Sequence, residues 1–356
     1  MAVPRIVAHL DLDAFYAAVE ELENPELRSQ ALIVGGDPRG RGVVATANYN
    51  ARKFGIHSAM SCAEALRRCP QAVFVRPRHS LYREYSRSVW ETVRGIVPTV
   101  EQTGMDEGYL DIGEVAPDFL AARGIAEAVR TAVRAATSLT CSLGVAPCKV
   151  VAKIASDARK PGGLVVVPAG KERSFLAPLA VRRLPGVGPK AEQRLLAAGI
   201  ETIGQLAALE DDDLRRVLAG SVGTMLRDRA RGIDPRGLEH STERISISVE
   251  NTFERDISDR ERLHDELRGM AAELAEALQR RGQVARTVRT KLRYADFSIR
   301  SRSTSLDSGI DDAATIGDLA CRQLDRGLKD RPGALRLVGV GVSGLGDFRQ
   351  LALEMA

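Results

Sequence analysis

Residues 5–22, RIVAHLDLDAFYAAVEEL, predict a short buried strand that ends in carboxylates and runs directly into a helix. A related pattern occurs at residues 99–112, TVEQTGMDEGYLDI, which predicts two strands joined by a tight acidic turn. Between and after these stretches, strand-like and helix-like segments follow in the order β-α-β-β-α-β, with insertions. This order favours an α+β fold in which helices cover one face of a sheet.

Length and composition limit the classes of protein to which the chain can belong. The 356 residues suggest two to three domains, and 44% hydrophobic with 28% charged residues excludes a disordered chain. No apolar run of about 18 residues occurs, so no membrane span is expected. An acidic pair interrupts the N-terminal apolar run, and we therefore expect a cytoplasmic protein without a membrane partner. The five cysteines never have C-x-x-C spacing, which argues against a disulfide framework or a zinc ribbon.

The second half of the chain changes character near Pro168. Residues 170–236 are rich in leucine, alanine and charge, and glycine and proline interrupt their short helical patterns, which predicts a small helical module. Residues 237–246 resemble a linker. The remainder alternates strand and helix again, which predicts a second, smaller α+β domain.

A cluster of basic residues lies in this last domain, although the whole chain has a net charge of only +4. A strand would place Arg289, Lys291 and Arg293 on one face and Val288, Leu292 and Tyr294 on the other. The window from 282 to 303 contains six basic residues and the single acid Asp296, namely Arg286, Arg289, Lys291, Arg293, Arg300 and Arg302. Clustering of one sign without acidic partners favours contact with a phosphate backbone, and the alternative is a solvated sheet face.

Three carboxylates are the strongest candidates for chemistry. Asp11 ends the first strand, and Asp106 and Glu107 occupy the later turn, so adjacent strands would bring them together. Clustered carboxylates repel one another, and Mg²⁺ neutralises such oxygen ligands while leaving positions for phosphate. Two ions about 4 Å apart would support in-line phosphoryl displacement. The alternative is a pair of surface turn acids. Asp13 is a further candidate, for which helix capping is the alternative.

A second group of residues suits a triphosphate. The segment VATANYNARKFG offers Thr46, Tyr49 and Arg52, and helical spacing places the last two on one face. Lys160 adds a cation from a later strand–helix unit. The alternative is a solvated basic helix face. Tyr16 is suited to stack beneath a sugar, whereas its neighbour Phe15 is expected in the core.

The segment LPGVGPKAEQRLLAAGI at residues 184–200 resembles a helix-hairpin-helix. Backbone N–H groups near Gly186 and Gly188, with Lys190 beside them, suit a nucleic-acid phosphate. The alternative is an ordinary helix connection that needs glycines for its turn.

Together these motifs resemble the Y family of DNA polymerases, in particular the bacterial DNA polymerase IV type. HLDLDAFYAAVE and TGMDEGYLD resemble the two metal-site motifs, and VVATANYNARKFG resembles the fingers motif. GVAPCKVVAKIASDARKPGG resembles the palm motif that ends in the triphosphate lysine, and residues 184–200 resemble the thumb hairpin. The likeness covers essentially the whole chain, in the family's order.

The resemblance implies a right-hand polymerase of palm, fingers and thumb with a C-terminal α+β little-finger domain. The implied palm covers residues 1–22 and 79–169, the fingers 23–78, the helical thumb 170–236, the linker 237–246, the little finger 247–345 and the tail 346–356. The implied activity is error-prone, template-directed translesion synthesis by a monomer. It adds deoxynucleotides to primer-template DNA and has no proofreading.

The resemblance also assigns roles to residues. Asp11, Asp106, Glu107 and the backbone carbonyl of Leu12 would hold two Mg²⁺ ions, with Mn²⁺ as the alternative metal, and Glu107 would help to organise the primer hydroxyl. The triphosphate would contact Thr46, Tyr49, Arg52 and Lys160; Tyr16 would be the steric gate; Val43, Ala45 and Ala59 would line the nascent base pair. Departures from the family pattern are Gly104, Cys148 and Ser61, and a tyrosine gate where phenylalanine is frequent.

The tail RQLALEMA resembles a peptide that docks on the bacterial sliding clamp, through Gln350, Leu351 and Leu353; the alternative is an ordinary C-terminus. Two rival functions are a non-catalytic adaptor of the same fold and a template-independent nucleotidyltransferase. An adaptor would not need the three acids, which this chain keeps. A template-independent enzyme would not need the basic residues of the last domain.

Overall fold

A computed structural model describes residues 5–218, 220–239 and 244–347. The chain divides into two compact units, Met1–Pro38 with Gly42–Ser241, and Arg39–Arg41 with Thr242–Ala356. Both units combine sheets with helices, so the predicted α+β multidomain class is confirmed. The three clamp-docking candidates of the tail lie outside the described residues.

The first unit contains two sheets and a run of helices. Its strands are β1 (Val7–Leu12), β2 (Leu32–Gly35), β3 (Val44–Ala47), β4 (Val73–Val75), β5 (Val100–Gln102), β6 (Glu107–Asp111), β7 (Cys141–Ala146) and β8 (Leu164–Val166). Its helices are α1 (Phe15–Glu23), α2 (Tyr49–Arg52), α3 (Cys62–Arg68), α4 (His79–Arg94), α5 (Phe119–Thr137), α6 (Lys149–Asp157), α7 (Glu172–Leu176), α8 (Pro189–Ala197), α9 (Ile203–Ala207), α10 (Asp211–Val217) and α11 (Ser221–Ala230).

The larger sheet has the order β5-β6-β1-β7-β8, with β1 antiparallel to both of its neighbours. Ala8, Leu10 and Leu12 enter a core that also contains residues of α1, α4 and α5. On the opposite face, His9 contacts α6 through Ser156. The expectation that helices cover one face of this sheet is therefore wrong. The strand is buried on both faces, and a two-sided core gives no clean alternation from which the second layer could be inferred.

At the junction between β1 and α1, the structure contradicts helix capping, the alternative role considered above for Asp13. The N-cap of α1 is Ala14, in a left-handed conformation with φ 47°, and no side chain caps the helix. Phe15 is buried, as expected. Asp13 does not cap; its carboxylate instead accepts hydrogen bonds from the Ser142 hydroxyl (2.8 Å) and the Gly162 amide (2.8 Å).

The smaller sheet has the order β3-β2-β4 and leads into α2. Asn48 joins the two elements: its side-chain oxygen accepts from the amides of Leu32 (3.0 Å) and Ala51 (2.9 Å). Its amide nitrogen donates to Glu21 at 2.7 Å. This buried side chain satisfies orphan donors at the start of α2, and so fixes where that short helix begins.

The helices α7 to α11 form the predicted helical module. A capping box between Thr202 and Gln205 begins α9. Their apolar side chains share a core with α6, including Val151, Leu195 and Leu226. The module is therefore packed against the same helix that covers the larger sheet.

The second unit is a four-stranded antiparallel sheet with two helices. Its elements are β9 (Ser246–Ile257), α12 (Arg260–Gln279), β10 (Gln283–Tyr294), β11 (Ile299–Ile310), α13 (Ala313–Asp330) and β12 (Leu335–Asp347), with strand order β11-β10-β12-β9. Val288, Leu292 and Tyr294 join a core with both helices, which confirms the alternation predicted for this strand.

Two further expectations concern the whole chain. The five cysteines are free and buried, consistent with the absence of a disulfide framework. Across the parts of the chain that the structure describes, no helix is long and apolar enough to cross a membrane.

Gly144 offers a test of the packing between β7 and α6. A Cβ there would lie 2.1 Å from the Ala152 carbonyl oxygen, whereas a Cβ at the exposed helical Gly124 would meet nothing within 4 Å. We expect Gly144→Ala to lower the free energy of unfolding by about 2–3 kcal/mol through overpacking. Gly124→Ala should raise it by about 0.5–1 kcal/mol, because alanine favours the helix. Urea unfolding of both variants checks this, and shifts of the same sign would contradict the packing described.

Candidate active site

Strand pairing brings the predicted carboxylates together. Asp11 on β1 lies directly opposite Glu107 on β6 in the antiparallel register. Opposed residues of such a pair project from the same face, with Cβ atoms about 5 Å apart. The Leu12 amide donates to the Asp106 carbonyl oxygen at 2.9 Å, which joins the end of β1 to the acidic turn. The structure therefore unites the three acids, although 95 residues separate Asp11 from Asp106 in the sequence.

Two lysines supply positive charge to these acids. Lys160 Nζ lies 2.8 Å from Asp11 Oδ2 and 2.6 Å from Asp157 Oδ1. Lys153 Nζ donates to Glu107 Oε2. The sequence predicted the proximity of Lys160 to the site but did not single out Lys153 or Asp157. The helical spacing from Lys149 to Lys153 is the signal that was available.

Burial and neighbouring charges shift the pKa values of these three acids in opposite directions. Burial raises the pKa of Asp11 to about 6, against the lowering effect of Lys160. Burial also raises the pKa of Asp106. By contrast, the hydrogen bond with the His9 ring and the contact with Lys153 lower the pKa of Glu107 to about 2. Glu107 is thus the strongest acid of the three, whereas burial makes Asp11 and Asp106 weaker acids than usual.

His9 is a site residue that sequence reasoning missed. It lies two residues before Asp11 on the same face of β1, and it is 1% exposed. Its Nδ1 lies 2.8 Å from Ser156 Oγ, and its Nε2 lies 3.4 Å from Lys153 Nζ. Burial lowers the pKa of this imidazole, which favours its neutral form. The same Nε2 lies 3.5 Å from Glu107 Oε2, so the ring is a fixed polar neighbour of both Lys153 and Glu107. The period of two from Asp11 was the available signal.

The structure contains no preformed ligand cage: across residues 5–218, 220–239 and 244–347, no three His, Cys, Asp or Glu side chains are arranged to hold a metal ion. Oxygens of Asp11 and Glu107 contact lysines instead.

Tyr49, one of the predicted triphosphate residues of the fingers motif, lies within electrostatic reach of Asp11 and Lys160. Thr46 lies on β3, and Tyr49 and Arg52 share a face of α2, with the guanidinium 5.0 Å from the ring centroid. Burial raises the pKa of Tyr49 to about 12, and charges of Asp13, Arg52, Lys160 and Asp11 also act on it. The Tyr49 hydroxyl is buried and has no hydrogen-bond partner among the described residues. An unsatisfied buried donor suits a polar ligand.

Tyr16 packs between aromatic neighbours at the start of α1. Its ring stacks on Tyr82 with centroids 4.1 Å apart and planes 15° apart, and His79 meets it edge-on at 5.9 Å. The Tyr82 hydroxyl in turn donates to Glu20 at 2.6 Å. These contacts hold the half-exposed Tyr16 ring in one orientation.

The predicted base-pair residues come together beside β3. Ala59, at φ 68°, donates its amide to the Val44 carbonyl oxygen at 2.9 Å. Val43 forms an isolated bridge with Ser61, next to Ala45 on β3. Ser61, one of the departures from the family pattern, is the N-cap of α3: its hydroxyl accepts from the Glu64 amide at 3.1 Å.

Gly104 and Cys148, two further departures from the family pattern, also make local contacts. Gly104 donates its amide to the Glu107 carbonyl oxygen at 3.0 Å, and a Cβ there would lie 3.3 Å from Asp106 Oδ1. Cys148 is the N-cap residue of α6, and its thiol donates to the Gly232 carbonyl oxygen at 3.3 Å. The next residue, Lys149, forms a buried ion pair with Glu101 at 2.6 Å. Neither departure removes a carboxylate from the site.

Residues 184–200, which resemble a phosphate-binding helix-hairpin-helix in sequence, have only part of that motif's geometry. Gly186 has φ 103°, a conformation that requires glycine, and Gly188 is the N-cap of α8. Lys190 is exposed in the first turn of that helix. The segment before the turn, Val181–Arg183, is a single 3₁₀ turn rather than a full helix.

The basic face of the second unit lies on β10, on the side of the sheet away from its helices. Arg289 is exposed there, and Arg293 lies against the Phe297 ring at 4.9 Å. The expectation that this cluster lacks acidic partners is wrong for Lys291, whose ammonium lies 2.7 Å from Glu250 Oε2, and for Arg302, which forms an ion pair with Asp330 of α13. Glu250 comes from β9, which is not adjacent to β10, so the partner could not be seen in the 282–303 window.

Three stretches of the chain match models of known protein families. Residues 10–157 match the impB/mucB/samB family, residues 244–353 its C-terminal domain, and residues 182–234 the thumb domain of DNA polymerase iota.

Individual proteins match over nearly the full chain. A DNA polymerase IV of Streptomyces coelicolor is 44% identical and covers 97% of this chain and 72% of its own length. One of Halorhodospira halophila is 43% identical over 96% of this chain and 95% of its own.

Solved structures give the same result. A chimera of the Y-family polymerases Dbh and Dpo4 has a TM-score of 0.87 at 26% identity and covers 96% of this chain and 99% of its own. The insertion ternary complex of Dbh DNA polymerase has a TM-score of 0.68 at 26% identity, covering 95% of this chain and 98% of its own. The acids on β1 and β6, the fold and these relatives agree: the chain belongs to the Y family of DNA polymerases, the translesion enzymes, and within it to the DNA polymerase IV type.

Proposed function

We propose that this polymerase performs error-prone, template-directed addition of deoxynucleotides to a primer 3′-hydroxyl by a two-metal mechanism, without proofreading. The observation that carries the proposal is the register of Asp11 with Glu107, beside Asp106 and Lys160. This arrangement combines clustered carboxylates with a cation. The charges of Asp11, Lys160 and Arg52 all act on Tyr49, which places Tyr49 in the same region. Phosphoryl transfer requires this combination of positioning and charge neutralisation.

The residues present fit divalent cations. Burial disfavours the ionised forms of Asp11 and Asp106, so a cation brought between them and Glu107 would gain strong ligands. Carboxylate and carbonyl oxygens are the ligands that Mg²⁺ prefers. We assign the ligands as Asp11, Asp106, Glu107 and the Leu12 carbonyl, for two Mg²⁺ ions with Mn²⁺ as an alternative. When bound there, such ions would supply Lewis-acid activation of the primer hydroxyl and neutralisation of the charge that develops on the leaving pyrophosphate.

The chain's own residues orient the reactants. Glu107, ionised beside Lys153, organises the primer hydroxyl. The guanidinium of Arg52 and the unpartnered Tyr49 hydroxyl bind the triphosphate, together with Thr46 and the ammonium of Lys160. Lys160 leaves its contact with Asp11 for phosphate oxygens when the nucleotide arrives. Positioning by several fixed groups lowers the barrier, because it removes the entropy cost of alignment.

A rigidly held aromatic ring lies at the sugar of the nucleotide, and small side chains lie at its base. Tyr16, held against Tyr82 and His79, is the steric gate that excludes a ribose 2′-hydroxyl. Val43, Ala45 and Ala59 line the nascent base pair, and their small side chains leave room for damaged or mismatched bases. Loose contact of this kind gives weak discrimination, because few groups are left unpaired by a wrong base.

The partners that we infer are primer-template DNA, a deoxynucleoside triphosphate and a bacterial sliding clamp. The thumb hairpin with Gly186, Gly188 and Lys190, and the β10 face, carry exposed backbone amides or cations for phosphates. Dbh, a structural neighbour, has been solved as an insertion ternary complex. We further infer a cytoplasmic monomer with the palm, fingers, thumb and little-finger boundaries given above, and a clamp-docking tail.

The carboxylate assignment predicts a selective loss of chemistry. Asp11→Ala and Asp106→Ala should each slow primer extension by about a thousandfold or more, since several kcal/mol of charge stabilisation are removed. Affinity for primer-template DNA should stay within about twofold, since these acids do not contribute phosphate contacts. Single-turnover extension and fluorescence anisotropy measure the two quantities. Glu114→Gln, an exposed acid just beyond β6, is the matched control. Extension by either alanine variant at the wild-type rate would refute the assignment.

The β10 face predicts a change in salt dependence. Arg289→Glu, Lys291→Glu and Arg293→Glu combined should weaken primer-template affinity and flatten the slope of log K against log salt by about 2–3 units. The same reversal at Arg262 and Arg268 on α12 and at Arg280, its C-cap, all exposed on the helical side of the same unit, should leave the slope near its wild-type value. DNA affinity measured from 50 to 300 mM salt, on the order of the physiological range, checks this. An unchanged slope for the β10 variant would remove this face from the DNA interface.

A further inference from the structure

The segment that carries Lys160 is fastened to the sheet immediately after that residue. The Gly162 amide donates to Asp13 Oδ2 at 2.8 Å, and the Gly163 amide donates to Ser142 Oγ at 3.2 Å. The Gly162 carbonyl oxygen accepts from Arg130 of α5. Gly162 has φ 66°. The backbone two residues after Lys160 is therefore held from both sides, by the β1–α1 junction and by α5.

Asp13 is the central member of these contacts. Its side chain is buried, at 3% exposure, and both carboxylate oxygens are used: Oδ1 accepts from Ser142 Oγ at 2.8 Å and Oδ2 accepts from Gly162. Among the described residues, no lysine, arginine or histidine forms an ion pair with it. A buried carboxylate is costly unless it is hydrogen-bonded, so these bonds are the reason that an acid is tolerated here.

The same three-residue segment also contacts the lysine itself. Asp11 Oδ2 lies 2.8 Å from Lys160 Nζ, while Asp13 holds the backbone of Gly162. The segment 11–13 therefore fixes both the ammonium and the chain that carries it. When Lys160 turns to a triphosphate, the contact with Asp11 is given up, and the contact between Asp13 and Gly162 remains to locate the lysine.

We propose that Asp13 is a positioning residue for Lys160: it sets the place of the ammonium through the Gly162 backbone and thereby the affinity for the incoming nucleotide. The inference rests on the proposed role of Lys160 in binding the triphosphate. Asp13 does not cap α1, whose N-cap is Ala14. Both of its oxygens accept hydrogen bonds, from donors on β7 and the 160–163 segment, which gives Asp13 a role other than the metal ligation for which the sequence made it a further candidate.

A double-mutant cycle tests this on the intact chain. The measured quantity is the dissociation constant of the matched deoxynucleotide from a ternary complex with a dideoxy-terminated primer, in which no chemistry occurs. We expect Lys160→Ala and Asp13→Ala each to weaken nucleotide binding by about tenfold, equivalent to about 1.4 kcal/mol. The double variant should be no weaker than Lys160→Ala alone, because Asp13 acts through that lysine. Asp13→Asn, which keeps one acceptor oxygen and the side-chain shape, should restore most of the affinity.

Further measurements distinguish a role in positioning Lys160 from a general loss of folding or DNA binding. DNA affinity and the melting temperature of Asp13→Asn should match the wild type. Asp13→Leu, which has a similar shape but accepts no hydrogen bond from Gly162, replaces Asp13→Ala in the cycle if that variant does not fold. Additive losses in the cycle, or equal loss of DNA affinity, would overturn the inference. Nucleotide affinity unchanged in Asp13→Ala while Lys160→Ala weakens it would also overturn it, with the proposed function intact. An unchanged affinity in Lys160→Ala would instead refute the triphosphate role on which the inference rests.

Discussion

The antiparallel pairing of β1 with β6 and β7 is the constraint on which the site depends. It places Asp11 opposite Glu107 and opposite Ser142 at the same time. Because side chains alternate along a strand, the register that sends Leu10 and Leu12 into the core also turns Asp11 to the α6 face. A shift of this register by one residue would turn Asp11 towards the core and the two leucines towards α6. The apolar core therefore determines the geometry of the acids, and stability and chemistry share one register.

Charge is the second organising factor. Three acids within one site repel one another, and the protein offsets this with Lys153, Lys160 and the buried polar contacts of His9. The two lysines come from α6 and from the segment just after it, and His9, on β1, contacts α6 through Ser156. Gly144 permits α6 to approach β7 closely, since a Cβ would meet its backbone at 2.1 Å. A single close helix–sheet contact thus delivers the cations that allow the acids to be buried.

The sequence predicted much of this arrangement, because the acids follow strands whose pattern is strong. Asp11, Asp106 and Glu107 were identified from strand ends, and Tyr49 with Arg52 from helical spacing. Contacts made across the fold could not be predicted in the same way. Glu250 reaches Lys291 from a non-adjacent strand, and Asp13 joins Gly162 across 149 positions. The second helical layer over β1 was missed because a strand buried on both faces shows no alternation.

The most direct test of the account is primer extension by the wild-type chain on four undamaged templates that differ in the templating base. Each deoxynucleotide is supplied singly with Mg²⁺, and a matched ribonucleotide series follows. We predict addition that follows the template with occasional mispairs, poor use of ribonucleotides, and no 3′→5′ shortening of the primer. Addition that ignores the template would contradict a polymerase mechanism and favour a template-independent nucleotidyltransferase. Absence of addition with intact DNA binding would contradict catalysis and favour a non-catalytic adaptor.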